Sequence, residues 1–275
     1  MPQVINTNVS SLNSQRNLDT SQTALFTALQ RLSSGLRVNS SKDDAAGLAV
    51  AEKMNSQARG MSVAIRNAND GISLAQTAEA GMNVITGHLQ RMRDLAVQAA
   101  SGQYDSGNRA ALDTEFQQLA SEISRVVSAT NFNGQQLLNG DFSDGVNFQV
   151  GATTTSESQI AIAISAVAVS AGAITGSGSV GENNALSAIS AVDAAIGQIN
   201  NNRASLGAIQ NRFEGVLTQL SAARENAVAA RSRIMDADYA EETANLSRAQ
   251  ILQQAGVAMV AQANALPQNV LSLLR

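Results

Sequence analysis

Proline occurs only at Pro2 and Pro267, so nothing breaks a helix by the proline mechanism between Gln3 and Leu266. On that background the last helix-length segment carries an apolar repeat of seven. Leu252, Met259, Leu266 and Leu273 form one series, and Ala249, Gly256, Ala263 and Val270 form a second, offset by three. Together they make an a/d seam, the pattern that packs one helix knobs-into-holes against another. A matching stripe stands near the other end at Leu25, Leu29, Leu32 and Leu36. Sticky stripes at both termini predict association. Pro267 lies inside the pattern, which predicts a bend or helix end near Leu266.

Composition narrows the class. Hydrophobic residues make up 44% of 275, but aromatics only 3% with no Trp, which favours slim, closely packed helices. Lys occurs only at positions 42 and 53 and the net charge is -4, so no basic run suits a row of phosphates and no nucleic-acid partner is expected. Cysteine is absent, which excludes disulfides and thiol chemistry. The first residues lack a basic region followed by an apolar core, so no cleaved secretory signal is expected. The apolar stretch from Ile160 to Val169 is far short of the ~20 residues that span a bilayer, so no membrane insertion is expected. His88 stands alone without HExxH context, and no triad spacing exists, so no metal, cofactor or catalytic residue is predicted. The carboxylates Asp43-Asp44, Asp236-Ala237-Asp238 and Glu241-Glu242 read as helix-end charges or solvated faces, with Asp43 as a cap.

The repeat also organises the interior. Met61, Ala68, Ala75, Met82, Leu89 and Ala96 are spaced by seven, and their companions slip phase between Ile72 and Ile85. Asp44 to Ala100 therefore reads as one helix of roughly 80 Å. A second helix is expected from Asn108 to Ala129, with Leu112, Phe116, Leu119, Ile123 and Val126 on one face. The most regular seam comes later, at Val192, Ile199, Leu206, Phe213, Leu220, Ala227 and Ile234. Its alternate series turns polar at Arg203, Gln210, Arg224 and Arg231, which either fixes register or exposes that edge to water. Between the helical blocks, Val146, Phe148 and Val150 and then Ile160, Ile162 and Ile164 alternate with period two. They predict a β-hairpin joined over Gly151 to Ser158, with Gly172 to Asn184 as a loop.

The expected fold is mainly α: a long antiparallel helical hairpin or coiled-coil bundle, both termini at one end and the β-hairpin with its loop at the far side. Residues 1–42 would pair with 236–275 as inner helices. Residues 43–146 and 185–235 would form the helical rod, and 147–184 the hairpin and variable loop.

Three blocks of residues add a resemblance. Leu32-Ser33-Ser34-Gly35-Leu36-Arg37-Val38-Asn39-Ser40-Ser41-Lys42-Asp43-Asp44-Ala45-Ala46-Gly47-Leu48, and Arg66-Asn67-Ala68-Asn69-Asp70-Gly71-Ile72-Ser73-Leu74-Ala75-Gln76-Thr77-Ala78-Glu79 after it, resemble the N-terminal region of bacterial flagellin. Ser247 to Gly256, Ala261 to Asn264 and Pro267 to Leu274 are similar to its C-terminus. The resemblance implies a structural subunit of the flagellar filament that serves swimming motility and is no enzyme. Terminal helices would line the filament interior, and the rod helices would surround them. With only about 20 residues from Ser165 to Asn184, it implies a short version without large outer domains. It implies extracellular location after export through the flagellum's own type III apparatus. Implied partners are further copies of the chain, an export chaperone, the filament cap and hook-junction proteins, and a vertebrate Toll-like receptor contacted by Arg91, Leu95, Gln98 and Glu115. Because the terminal stripes have no cover within one chain, the ends are expected to order on joining the polymer. Two other readings compete: a hook–filament junction protein, whose ends resemble these blocks less, and a surface homologue that captures polysaccharide, for which aromatics are scarce.

Overall fold

The computed structural model describes residues 7–168 and 172–272, with side chains described as far as 265. The element order is α1 (Val9–Ser34), α2 (Ala45–Ala99), α3 (Ser106–Ala129), β1 (Asn131–Phe132), β2 (Gln135–Gln136), β3 (Val146–Gln149), β4 (Gln159–Ile162), α4 (Gly178–Met235) and α5 (Tyr239–Ser272). The chain divides into two units, one of residues 1–58 with 225–275 and one of residues 59–224. Both divisions fall inside helices, α2 and α4.

Helix ends follow local chemistry. Asn8 caps α1 by accepting from Ser11 N, and Gly35 ends that helix at φ 69°, a left-handed turn that glycine adopts without strain. Asp105 caps α3 by accepting from Asn108 N. At α2 the cap is Asp44, whose Oδ1 accepts from Gly47 N at 2.8 Å, and not Asp43 as its position suggested. Asp43 instead closes the preceding loop, accepting from Asn39 N, Ser40 N and Ser40 Oγ. Asp238 Oδ1 accepts from Ala240 N at 2.8 Å at the start of α5.

In the unit of residues 59–224, α2 and α4 run antiparallel. Arg93 meets Asp193, Gly71 faces Phe213, and Arg224 reaches Ser62. α3 lies beside α2, joined by Arg91 to Glu115 at 2.7 Å. One continuous core draws on all three helices and the strands, with Met82, Leu89, Met92, Phe116, Ile123 and Phe213 fully or almost fully buried. β3 and β4 pair antiparallel, Val146 opposite Ile162 and Phe148 opposite Ile160. This hairpin is seated from both sides. Asn67 Nδ2 donates to the Gln149 carbonyl, and the Phe148 ring meets Phe213 edge-on at 6.1 Å. A Cβ at Gly71 would stand 2.8 Å from Phe213 Cζ, so the ring fits only because that position has no side chain. β1 and β2 form a second small hairpin through Asn133-Gly134, both at positive φ (51° and 80°), as a tight primed turn requires.

Two expectations need correcting. The loop expected over 172–184 is shorter, because α4 already begins at Gly178. Its Gly-Ser-Asn start is weakly helical by itself, but tertiary bonds hold it: Arg109 donates to the Gly176 and Gly178 carbonyls, and Asn184 Nδ2 donates to the Thr175 carbonyl. The helix end expected near Leu266 is also absent, since α5 runs on through Pro267 to Ser272.

Candidate functional site

The unit of residues 1–58 and 225–275 is built on α1 and α5. Their contacts run in opposite order along the two helices: Asn8 with Ala263, Leu18 with Gly256, Arg31 with Glu242. The pair is antiparallel. The connections flanking it also pair, as Arg37 N donates to the Met235 carbonyl, Ala237 N to the Gly35 carbonyl, and Arg37 Nη2 to the Ile234 carbonyl. A small cluster of Val38, Ala51 and Met235 lies with them.

The two predicted heptad series on α5 have different fates. Ala249 and Ala263 are buried against α1, and Gly256 lies between them with Leu18 Cδ1 only 3.1 Å from where a Cβ would stand. Leu252 and Met259 are by contrast 51% and 60% exposed, with Leu252 at the rim of a groove that α5 shares with α1. On α1, Leu25 and Leu32 are half-buried and Leu29 is exposed, and Leu36, just beyond the helix end, is half-buried. Leu266, Val270 and Leu273 lie outside the residues whose side chains are described. The large apolar side chains Val9, Leu12, Phe26, Ile251 and Val257 also stand in the open. A surface this apolar on two adjacent helices marks an interaction face.

The rod seam splits along its length. Val192, Ile199, Leu206 and Phe213 are buried, whereas Leu220, Ala227 and Ile234 are half-buried. Some polar positions of its alternate series find partners on α2: Gln210 donates to Glu79 Oε2 at 3.1 Å, and Arg203 approaches Glu79 at 3.8 Å, whereas Arg231 Nε is buried without a hydrogen-bond partner. Gln210 and Arg203 therefore bind across the seam.

The four residues that the resemblance assigned to a receptor do not share one surface. Arg91 and Glu115 are exposed and paired, which raises the arginine pKa, and Gln98 is exposed with its amide on Tyr104 Oη. Leu95 is a correction: only 1% exposed, it faces the core together with Met92, Ala96 and Ala99. No partner can touch it while the helices stay packed.

Sequence reasoning missed Arg109. Its guanidinium is 1% exposed, and donates to the carbonyls of Ala99 (2.9 Å), Ser101 (3.3 Å), Gly178 (3.2 Å) and Gly176 (3.4 Å), with Glu182 at 3.6 Å. It thus satisfies the end of α2 and anchors the start of α4. The signal was available: Arg109 stands seven before Phe116 and fourteen before Ile123, in the buried series of α3.

Among the described residues no cluster of three or more His, Asp or Glu could hold a metal ion, and no helix is long and apolar enough to cross a membrane. What the geometry presents is a folded helical body and a helix pair with apolar side chains facing outward.

The comparisons with known proteins agree with that arrangement. Residues 5–143 match the bacterial flagellin N-terminal helical region, and residues 189–274 match the bacterial flagellin C-terminal helical region. A flagellin of Halalkalibacterium halodurans is 45% identical over 274 positions, covering 99% of this chain and all of the relative, so this short length has a counterpart. The flagellar filament 33 kDa core protein of Treponema phagedenis is 41% identical over 290 positions, covering 99% of this chain and all of that one. A solved flagellar hook-associated protein of Vibrio parahaemolyticus shares the fold alone, with a TM-score of 0.58 at 13% identity over 70% of this chain and all of that one. With both terminal regions matched and relatives aligned from end to end, the chain belongs to the bacterial flagellin family.

Proposed function

We propose that the outward apolar side chains of α1 and α5 are the contacts through which this chain, by family a structural subunit of the extracellular flagellar filament, joins its neighbours. The observation that carries the reading is the exposure of Phe26 (70%), Ile251 (66%) and Met259 (60%) beside a seam whose buried apolar residues, among those described, are all alanine. Burying each such side chain in the polymer contributes on the order of 1.5–3 kcal/mol before ordering costs. Since α1 and α5 have little cover beyond one another, they order on assembly. Replacing Phe26 and Met259 by Ser should leave unfolding of the subunit within about 0.5 kcal/mol of the parent, as surface changes do. Seeded filament growth, followed by electron microscopy, should fall sharply. Normal filaments from the double variant would end this reading.

The finer partners follow from the same role: export through the flagellum's type III apparatus with a chaperone, and contact with the cap and hook-junction proteins at the filament ends. Recognition by a Toll-like receptor would use exposed Arg91, Gln98 and Glu115, with Leu95 only holding α2 in place. Arg91→Ala in a receptor reporter assay on dissociated subunit tests that surface. An unchanged response would remove it.

A further inference from the structure

The Ala263 carbonyl lacks its ordinary helical donor, because residue 267, four positions on, is a proline without an N–H, yet α5 continues through it. That carbonyl is not left bare. Asn8 Nδ2 donates to it at 2.7 Å from across the helix pair. The same side chain's Oδ1 accepts from Ser11 N, and the buried Ser11 donates through Oγ to Asn264 Oδ1 at 2.7 Å. The apolar seam itself is nearly degenerate. Ala249, Gly256 and Ala263 recur every seven residues, and a one-heptad slip would set Leu18 against another small residue at little steric cost. A polar group that fits in only one alignment is the usual means of fixing register in such a seam. Proline deprives one carbonyl in α5, and Asn8 meets that one.

We propose that Asn8 is a positioning residue that fixes the register of α1 on α5 at this end of the pair, by giving Ala263 the hydrogen bond that Pro267 withholds. Arg31 with Glu242 pins the opposite end. Asn8→Asp isolates the effect, because a carboxylate keeps the cap on Ser11 and has no donor for Ala263. Pro267→Ala is its complement, restoring an N–H within α5.

All four combinations are compared in the full chain. In the parent, Asn8→Asp should raise the critical concentration for seeded filament growth about tenfold, as a bared acceptor would. In the Pro267→Ala background it should raise it less than about twofold. Register is also read directly, by disulfide formation within seeded filaments. A Cβ at position 256 would lie 3.7 Å from Leu18 Cβ, within disulfide range, so Leu18→Cys with Gly256→Cys serves as the reporter. Asn8→Asp should lower the disulfide yield with proline at 267 and leave it unchanged with alanine there. Equal effects in both backgrounds, or no effect with proline, overturn the proposal. Loss of growth with disulfide yield unchanged in all four also overturns it.

Discussion

The seam of α4 within residues 59–224 and the seam of α5 share a period of seven and end differently. On α4, Val192, Ile199, Leu206 and Phe213 fall to 1% exposure or less, because α2, α3 and the β3–β4 hairpin enclose them. On α5 the small series turns inward, while Leu252 and Met259 remain more than half exposed. Amphipathic periodicity says that a face requires cover. It does not say whether the cover is the same chain or another copy. Here the large residues divide accordingly, inward where three elements converge and outward where a helix has one partner. A subunit built this way folds one part for itself and, on the function proposed above, leaves the other to be completed by its polymer.

The difference breaks most visibly at Phe213. Truncation to Ala should cost the residue 59–224 unit about 3–5 kcal/mol, since the ring is fully buried and also seats Phe148. Chemical unfolding followed by circular dichroism measures this, and a loss below about 1 kcal/mol would mean the seam is not the core it resembles. Gly256 offers the next largest effect. A Cβ there already meets Leu18 Cδ1 at 3.1 Å, so Gly256→Leu overpacks the α1–α5 seam by roughly 1–3 kcal/mol. Filament growth and motility should both drop, with Phe213 and its neighbours unaffected. Normal swimming in that variant would show that the two helices do not approach this closely in the filament.

How much of this was legible beforehand follows from the same contrast. The long helices and the two longer strands could be read, because period is a local property. Which heptad series on α5 faces α1 could not, because Ala and Leu fit an a/d pattern equally well until a neighbour's distance is known. Leu95 was misplaced by resemblance, although its spacing of three from Met92 and four from Ala99 already put it on the buried stripe of α2. The start of α4 was hidden because Gly178, Ser179 and Gly181 have poor helix propensity, and it took Arg109, a charge in an apolar series, to hold them. Helix continuation through Pro267 needed a donor 255 positions away in sequence, which no local pattern reveals.

The smallest expected effect concerns the connection between α1 and α2, whose order rests on polar bonds more than on burial. Asp43 Oδ2 accepts from Ser40 N at 2.9 Å, Ser40 Oγ at 3.0 Å and Asn39 N at 3.1 Å. The Ser40 backbone bond first, then its hydroxyl, then Asn39 hold the carboxyl below its ordinary value. A lowered folded pKa means that the stabilisation is complete above the ordinary carboxylate range and fades as pH falls through the lowered value. Acid should therefore loosen residues 39–43 before the Phe213 core responds, visible as a shift of the Ser40 amide resonance with pH. Asp43→Asn should abolish that titration and leave the core resonances in place. A Ser40 shift that persists in Asp43→Asn would assign the acid sensitivity to another group.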